Sequence, residues 1–380
     1  MRQGLAAALW LAAAGPGAAE PWPALRIDPS MTTVSGLSSG GYMAVQLHVA
    51  HAATFRRGAA AVAAGPYYCA EGQPQHATGR CLFHGSPIPV EALQATARRW
   101  AALGLIDDPA LLAASRVYLF SGRLDSAVKQ PVSDELQRWY AAFVPPAQIR
   151  YRNDVAAEHG MVTDDYGNAC ATRGMPYIQN CGVDVAGELL AHLYGPLQPR
   201  SDAPFGRWLN VEQHEFVARF RGMGPEARLY VPQACEASPG CRLHVVLHGC
   251  GQNVDDVQET YVQRTGYTRW ADSNRIVLLF PQTSPEATNS CWDWWGYTGA
   301  DYARRSGAQI AAIKGMVDRL AGIAAACHRA FNTAHVGAGR AVYGWWGRIR
   351  ARGSGDDLGW PWQRSSLREN AAGHYLAATC

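Results

Sequence analysis

The sequence predicts an α/β fold with a mainly parallel central sheet. Short, mostly apolar runs alternate along the chain with longer segments of helical period. Several of these runs pass directly into loop residues, as buried strands do at the carboxyl edge of a parallel sheet. The chain has 380 residues, of which 48% are hydrophobic and 17% are charged, so it can bury a large core. A functional site is therefore expected at the carboxyl edge of the sheet.

The individual elements follow from the local patterns. The strand-like runs RVYLF, QIRYR, RLHVVLH and RIVLLF lie at residues 116–120, 148–152, 242–248 and 275–280. Helical patterns cover residues 90–103, 133–142 and 309–320. A short β-branched run before Gly36, followed by a small-residue apolar segment, predicts one more strand and helix.

The charge balance excludes several classes of partner. The formal net charge is +3, and the basic residues are spread along the chain without forming a block. Nucleic acids and anionic membranes are recognised by clustered Lys and Arg, so neither is expected as a partner. We expect a substrate that is neutral or nearly neutral.

The N-terminus has the composition of a secretory signal. Arg2 precedes an apolar run at residues 5–14, and small residues occupy positions 17–19. The run is too short to span a membrane, and a buried N-terminal helix is the alternative. We predict a signal peptide at residues 1–19 and a single catalytic domain at residues 20–380. The mature protein is expected to be secreted or periplasmic.

The cysteines agree with an oxidising compartment. There are ten, and some are close in sequence, such as Cys235 with Cys241 and Cys170 with Cys181. Zinc would be the other use, but the sequence contains no Cys-x-x-Cys motif and no cysteine pair beside a spaced histidine pair. Disulfides are therefore predicted, with their pairing open.

Ser38 is the candidate nucleophile. Gly36-Leu37-Ser38-Ser39-Gly40 fits the G-x-S-x-G nucleophile elbow, in which glycines let the chain turn sharply and hold the hydroxyl above the sheet. A glycine-serine loop is the alternative, because so short a pattern arises easily by chance. The predicted strand before it and the predicted helix after it favour the elbow.

Asp125 and His159 complete a candidate catalytic triad. Each follows a predicted strand, and the chain order Ser, Asp, His is that of hydrolases with this elbow. Alone, Asp125 could be a turn or cap residue, and His159 is one of twelve histidines. Their order and strand-end positions together favour catalysis, with His159 as the base for Ser38 and Asp125 orienting His159.

The early position of Ser38 predicts a circular permutation. A nucleophile elbow normally follows several strands, whereas only residues 20–37 of the mature chain precede Ser38. The missing strands are found downstream in RLYVPQAC, RLHVVLHGCGQNVDD and RIVLLFPQT, with HGCGQ at 248–252 in place of the oxyanion loop. The helix expected before the nucleophile strand matches residues 309–320. These features predict a circularly permuted α/β-hydrolase.

Six separated motifs then resemble one family in the same order. They are SGLSSGGYMAVQLH, YLFSGRLDS, EHGMVTDDYGNAC, LHGCGQN, CWDWWGYTG and GSGDDLGW with SSLRENAAGHYLAATC, within residues 26–380. They resemble the single-domain, circularly permuted polyhydroxybutyrate depolymerases, which act on short-chain-length polyhydroxyalkanoates. The resemblance implies hydrolysis of poly(3-hydroxybutyrate) or its oligomers by Ser38, Asp125 and His159 through an acyl-enzyme. It also implies an oxyanion hole formed by the backbone N–H groups of Ser39 and Cys250, and no metal or organic cofactor.

The substrate contacts are less defined. Trp292, Trp294 and Trp295 offer an apolar wall to methyl-bearing ester units, but a core cluster beside Cys291 is an equally good interpretation. A bridge between Cys250 and Cys291 would hold this loop beside the oxyanion hole.

The sequence also departs from the family. Residues 340–353 match it only loosely, and no separate substrate-binding domain is expected. The protein should then bind polymer through its catalytic domain or act mainly on soluble oligomers, and we expect a monomer.

Two other functions stay open. LHGCGQ and CWDWW also resemble feruloyl and acetylxylan esterases, although those enzymes keep the unpermuted order. A noncatalytic polymer-binding protein that uses the tryptophans is the second alternative, and the complete Ser, Asp and His set argues against it.

Overall fold

The computed structural model describes residues 19–323, 327–371 and 374–378, so residues 1–18 of the predicted signal peptide lie outside the described residues. The strands are β1 (Thr32–Leu37), β2 (Gly58–Val62), β3 (Arg116–Phe120), β4 (Ile149–Arg152), β5 (Met161–Thr163), β6 (Asn168–Ala169), β7 (Ile178–Asn180), β8 (Arg207–Glu212), β9 (Glu226–Val231), β10 (Arg242–Leu247), β11 (Ile276–Phe280), β12 (Cys327–Phe331), β13 (Ala341–Tyr343), β14 (Ile349–Ala351), β15 (Asp357–Gly359), β16 (Arg364–Ala371) and β17 (His374–Ala377).

The helices lie mainly between the strands of the large sheet. They are α1 (Ser39–Ala50), α2 (Pro74–His76), α3 (Val90–Ala102), α4 (Gln130–Ala141), α5 (Val185–Tyr194), α6 (Gln233–Ala237), α7 (Val254–Val257), α8 (Thr260–Arg264), α9 (Thr268–Asn274), α10 (Ala308–Leu320) and α11 (Asn332–Gly337). Among the described residues, no helix combines the length and the apolar character that a membrane crossing requires.

The central sheet lies within residues 19–323 and has the strand order β4-β3-β2-β1-β10-β11-β9-β8. The pairs from β4 to β11 are parallel, whereas β9 is antiparallel to both β11 and β8. β1 lies in the middle of the sheet, and β2, β3 and β4 follow it in order toward one edge. The chain then crosses to the opposite edge at β8, and β10 pairs with the free side of β1. This order confirms the predicted circularly permuted α/β-hydrolase fold.

Most predicted elements lie where the sequence places them, and one helix begins earlier. α4 starts at Gln130 instead of the predicted residue 133. Pro131 lies in its first turn, where a helix does not need the N–H that proline lacks, and Val132 is buried. The earlier start therefore adds an apolar side chain to the buried face of α4.

A buried hydrogen-bond network connects the two central strands. His244 of β10 has its Nδ1 2.7 Å from Thr33 Oγ1 and its Nε2 2.8 Å from Ser35 Oγ, both on β1. Ser35 Oγ also lies 2.8 Å from the Tyr267 hydroxyl. Burial lowers the pKa of His244 to about 3, so the ring is neutral and each of its nitrogens has a partner.

Disulfides join several loops of the described residues, which confirms the prediction that the cysteines form disulfide bonds. The bonds are Cys69–Cys81, Cys170–Cys181, Cys235–Cys241 and Cys250–Cys291. Three of them close short local loops, as the sequence spacings indicate. The fourth spans 41 residues and connects the loop after β10 with the tryptophan-rich loop.

Residues 327–371 and 374–378, which follow α10, form a small second body that we call the C-terminal module. It contains the sheets β12-β16-β17 and β13-β14-β15. A separate apolar cluster lies inside it, formed by Ala341, Ile349, Ala351, Leu358 and Leu367. β16 packs against α10, and Arg368 Nη1 lies 2.7 Å from Glu215 Oε1 of the central body. The module is therefore a distinct core fixed to the larger one.

We expect the free energy of unfolding to decrease between pH 6.5 and pH 5. Burial lowers the pKa values of His48 and His244 from 6.5 to about 3 and that of His248 to about 4. Below about pH 6.5 the unfolded chain binds protons that the folded protein excludes, so acid favours unfolding. Urea unfolding at pH 7, 6.5, 6 and 5 measures this loss, in a range above the ordinary carboxyl pKa values.

His48→Asn is the matched variant, because an amide at this position can replace Nδ1 as the partner of the Tyr140 hydroxyl, now 3.0 Å away. It should reduce the pH dependence. Equal unfolding free energies at pH 7 and pH 5 in the unsubstituted protein would contradict the prediction.

Candidate active site

Ser38 lies on a strained turn between β1 and α1. Its backbone angles are φ 55° and ψ −120°, which residues other than glycine rarely adopt. The Ser38 N–H donates to Val62 O of β2, and the Tyr42 N–H donates to Ser38 O, both at 2.9 Å. The turn leaves Ser38 at the carboxyl edge of the central strand, as the elbow pattern predicts.

The glycines of this turn are needed for close packing. A Cβ on Gly36 would lie 2.1 Å from Gly40 O, and one on Gly40 would lie 2.3 Å from His248 O. Both distances are far below an ordinary contact, so α1 begins directly against the chain that follows β10. This contact brings the Ser38 turn beside the loop that carries Cys250.

Asp125 and His159 lie next to each other on two neighbouring loops. Asp125 follows β3, His159 follows β4, and His159 Nδ1 lies 2.9 Å from Asp125 Oδ2. Asp125 Oδ1 accepts hydrogen bonds from the N–H groups of Ala127 and Val128, each at 2.8 Å. Both carboxylate oxygens are therefore fixed. A neutral His159 that donates from Nδ1 keeps Nε2 as a proton acceptor.

Glu158 connects these two loops, a role that the sequence did not predict. Its Oε2 accepts the His159 N–H at 2.7 Å and the Ser126 N–H at 3.1 Å. Burial alone would raise the pKa of Glu158, but these hydrogen bonds outweigh it and lower the pKa below its ordinary value. The ionised carboxylate thus holds the residue after Asp125 and the backbone of His159 at a fixed separation.

Gln252 positions the loop that was predicted to form part of the oxyanion hole. Its Oε1 accepts the Gly249 N–H at 2.7 Å, and its Nε2 donates to Pro176 O at 2.7 Å and to Tyr177 O at 3.2 Å. The buried amide thereby connects the loop after β10 to the segment before β7. The sequence singled out Cys250 in this loop but missed Gln252.

Asp293 organises the tryptophan loop. Its Oδ1 accepts the N–H groups of Gly296 at 2.6 Å and Tyr297 at 3.0 Å, and its Oδ2 accepts that of Thr298 at 2.7 Å. Burial raises the pKa of Asp293 above its ordinary value. The Cys250–Cys291 bond then fixes the start of this loop to the predicted oxyanion loop.

The three tryptophans have different environments. Trp294 stacks on Tyr42 with ring centroids 4.1 Å apart, and Trp294 and Trp295 line a cavity beside Ser38. Trp292 is fully buried with its ring 5.3 Å from that of His248. We therefore assign Trp292 to the core, which corrects its predicted place in the substrate wall.

The predicted residues meet at one cavity of about 410 Å³. Ser38, His159 and Cys250 line it, while Asp125 is buried behind His159, and Ser39 is the first residue of α1. The rest of the wall is mainly apolar and includes Leu37, Pro74, Ala77, Leu82, Val128, Trp294 and Trp295. Arg173 also lines the cavity, whose size and mainly apolar wall suit a small, partly apolar group.

The later part of the chain matches a known protein family. The family model described as "Esterase PHB depolymerase" matches residues 227–342. This region contains β10, the Cys250 loop and the tryptophan loop.

Two curated relatives extend the match over most of the chain. A poly(3-hydroxybutyrate) depolymerase of Delftia acidovorans is 58% identical over 302 residues, which are 78% of this chain and 61% of that protein. A polyhydroxybutyrate depolymerase of Talaromyces funiculosus is 35% identical over 331 residues, covering 82% of this chain and 96% of that protein. The chain thus spans about three fifths of the first relative and nearly all of the second.

Two solved structures have the same fold. One is a PHB depolymerase from Penicillium funiculosum, and the other is a serine-to-alanine variant of a PHB depolymerase in complex with an R3HB trimer. Each is 34% identical, has a TM-score of 0.74 and covers 80% of this chain and 99% of its own.

We expect Gln252→Ala to lower kcat about tenfold to a hundredfold, with a smaller change in KM. The substitution frees the Gly249 N–H and the loop that carries Cys250, whereas loss of an oxyanion donor itself costs about 10² to 10³ in kcat. Steady-state kinetics on a soluble p-nitrophenyl ester measure both constants.

Gln148→Ala is the control, because this partly exposed glutamine donates to Ala113 O away from the cavity. Unchanged kcat in Gln252→Ala, with an unchanged unfolding temperature, would refute the positioning role.

Proposed function

Because this chain belongs to the polyhydroxybutyrate depolymerase family, we propose that it is a serine esterase that hydrolyses poly(3-hydroxybutyrate) or its oligomers. The single observation behind the proposed chemistry is the 2.9 Å Asp125–His159 hydrogen bond beside a cavity that Ser38 also lines. The names of the Delftia and Talaromyces relatives and the trimer bound by a related depolymerase support the substrate class.

In the proposed acylation, Ser38 Oγ attacks the ester carbonyl while His159 Nε2 takes its proton. Asp125 accepts the hydrogen bond from Nδ1–H, which orients the ring and stabilises the imidazolium. His159 then gives the proton to the departing hydroxyl end of the polymer. The ester C–O bond breaks, and the acyl end stays on Ser38.

The negative charge on the carbonyl oxygen needs fixed donors. We assign the backbone N–H groups of Ser39 and Cys250 to this role. Ser39 begins the twelve-residue helix α1, whose N-terminal partial positive charge favours an oxyanion. Gln252 holds the loop of Cys250 before the substrate arrives, so the donors need little rearrangement in the transition state.

Water completes the reaction by the reverse sequence of proton transfers. His159 Nε2 takes a proton from water, which attacks the acyl carbon, and returns it to Ser38 Oγ as the second ester bond breaks. The products are a chain ending in a hydroxyl and one ending in a carboxylate.

We propose that the cavity wall favours short, methyl-bearing units. Trp294 is held by stacking on Tyr42, and Trp295 lies against Trp294 with ring centroids 5.3 Å apart. Rigid rings beside Ser38 bury methyl and methylene groups with little loss of side-chain entropy. These contacts favour a neutral polyester unit.

We also propose that the protein is exported and that residues 20–380 act as one catalytic unit. The disulfides of the described residues suit an oxidising compartment.

Ser38→Ala should lower the release of 3-hydroxybutyrate by a factor of about 10⁴ or more, because the acyl-enzyme cannot form. Residues 20–380 are expressed in an oxidising host, and product is measured from amorphous polymer and from a trimer. Ser273→Ala is the control, since Ser273 is an exposed residue of α9.

Acetylated xylan and methyl ferulate are assayed in parallel. Full activity of Ser38→Ala would overturn the proposed nucleophile. Serine-dependent activity confined to the xylan or ferulate esters would replace the polyester assignment with a carbohydrate esterase.

A further inference from the structure

One end of the β13-β14-β15 sheet carries a group of exposed aromatic rings. Tyr343 pairs with Ile349 and Ile349 pairs with Gly359, so the loops that follow β13 and β15 leave the sheet at the same end. Exposure is 84% for Trp345, 91% for Trp346 and 69% for Trp362. We call this group the aromatic edge, formed by Tyr343, Trp345, Trp346, Trp360 and Trp362.

The two loops of the aromatic edge are packed against each other. The rings of Trp360 and Trp362 are parallel, with centroids 5.4 Å apart. Arg348, at the end of the other loop, lies over Trp360 with its Cζ 5.5 Å from the ring centroid. Its Nε also donates to Asp357 Oδ2 at 2.8 Å. Trp360 and Trp362 are thus held in place before any partner binds, which lowers the entropic cost of binding through these two rings.

Trp346 combines an unfavourable backbone conformation with an exposed apolar side chain. The residue has φ 60° and ψ 24°, a left-handed conformation that disfavours side chains other than those of glycine, asparagine or aspartate. The Gly344 N–H donates to Arg348 O at 2.7 Å and closes the loop in this form. A large apolar ring is then exposed to water at the strained position. Several exposed aromatic rings at one end of a sheet mark a candidate interaction site.

The chemistry of the edge fits a polyester. Away from its chain ends, a poly(3-hydroxyalkanoate) has apolar methyl groups and ester carbonyls that only accept hydrogen bonds. Indole rings bury methyl groups, and an indole N–H only donates. The carboxylate of Asp357, the first residue of β15, is already bound by Arg348 and by the Gly359 N–H at 2.9 Å.

The same contacts argue against two other ligands. Sugars present hydroxyl donors that need acceptors, and the Asp357 carboxylate is engaged within the module. Anionic lipids attract free cations, but Arg348, the cation that lies over Trp360, is paired with Asp357. The edge therefore offers exposed rings beside a cation that already has a carboxylate partner.

We propose that the aromatic edge binds the surface of solid polyester and keeps the catalytic cavity at its substrate. This inference rests on the proposed function. The opposite end of the sheet is connected to the catalytic body by Arg221, whose guanidinium donates to Thr298 O at 3.1 Å and to Ser354 O at 3.4 Å. The Thr298 N–H donates to Asp293 in the tryptophan loop, so Arg221 connects the module that carries the aromatic edge to the cavity wall.

The test removes two exposed rings and leaves the fold unchanged. Trp345→Ala is combined with Trp346→Gly, because glycine suits the left-handed backbone at 346. Both substitutions are made in Ser38→Ala, so that binding is measured without hydrolysis, and also in the active protein. Phe205→Ala is the matched control, since this ring is 65% exposed and precedes β8 at the far edge of the central sheet.

We expect the double variant to bind amorphous poly(3-hydroxybutyrate) films at least about tenfold more weakly than the parent protein. The reason is that it lacks two rings that the polymer would bury in the contact. Activity on solid polymer should fall, while kcat and KM on the soluble trimer stay unchanged. Phe205→Ala should match the parent protein in every assay.

Other outcomes overturn the proposal. Unchanged film binding by the double variant removes the role of the edge. Weaker binding to anionic lipid vesicles or to xylan, with unchanged film binding, assigns the edge to a membrane or a polysaccharide. A shift from dimer to monomer in size-exclusion chromatography assigns it to a second copy of this chain. If Ser38→Ala retains activity, the proposed function fails, yet the film-binding result still decides what the edge binds.

Discussion

The parallel pairing of β1 with β10 is the contact on which the rest of the structure depends. It joins the half of the sheet formed by β1–β4 to the half formed by β8–β11. The buried His244 network adds side-chain hydrogen bonds between the two strands. The same pairing sets the start of α1 against His248, which only glycine at position 40 permits. Ser38 and Cys250 share a cavity because of this one interface.

The site above this interface is built from loops, and each loop is fixed by a side chain that accepts backbone N–H groups. Glu158 holds the loops of Asp125 and His159, Gln252 holds the loop of Cys250, and Asp293 holds the tryptophan loop. A carboxylate or amide in this position removes loop freedom and leaves few backbone donors unpaired inside the protein. Preorganisation of the cavity is thus distributed over residues outside the predicted triad and oxyanion donors.

The sequence predicted the fold class and the bounds of several strands and helices of the central body because these depend on local periodicity and on the early elbow. The order of the motifs and their positions after predicted strands grouped Ser38, Asp125 and His159 as one candidate triad. Their catalytic roles stay predictions. Glu158 and Gln252 could not be predicted, because their partners are backbone groups whose positions only the tertiary structure defines. Trp292 could not be separated from Trp295 for the same reason, since neighbours in one loop can face opposite sides. The short strands of the C-terminal module have no clear periodicity, and the sequence did not predict it.

The permuted strand order also has a consequence for how the chain is made. Thr33 and His244 are 211 residues apart, so a ribosome must complete more than half of the protein before β1 can meet its central partner. Until then the unpaired backbone edge of β1 is open to wrong pairing, and non-local contacts of this kind form slowly. A chain that is held unfolded until it is exported avoids this interval, because all the strands become available together on the far side of the membrane. The position of the nucleophile near the N-terminus therefore favours folding after synthesis over folding during synthesis.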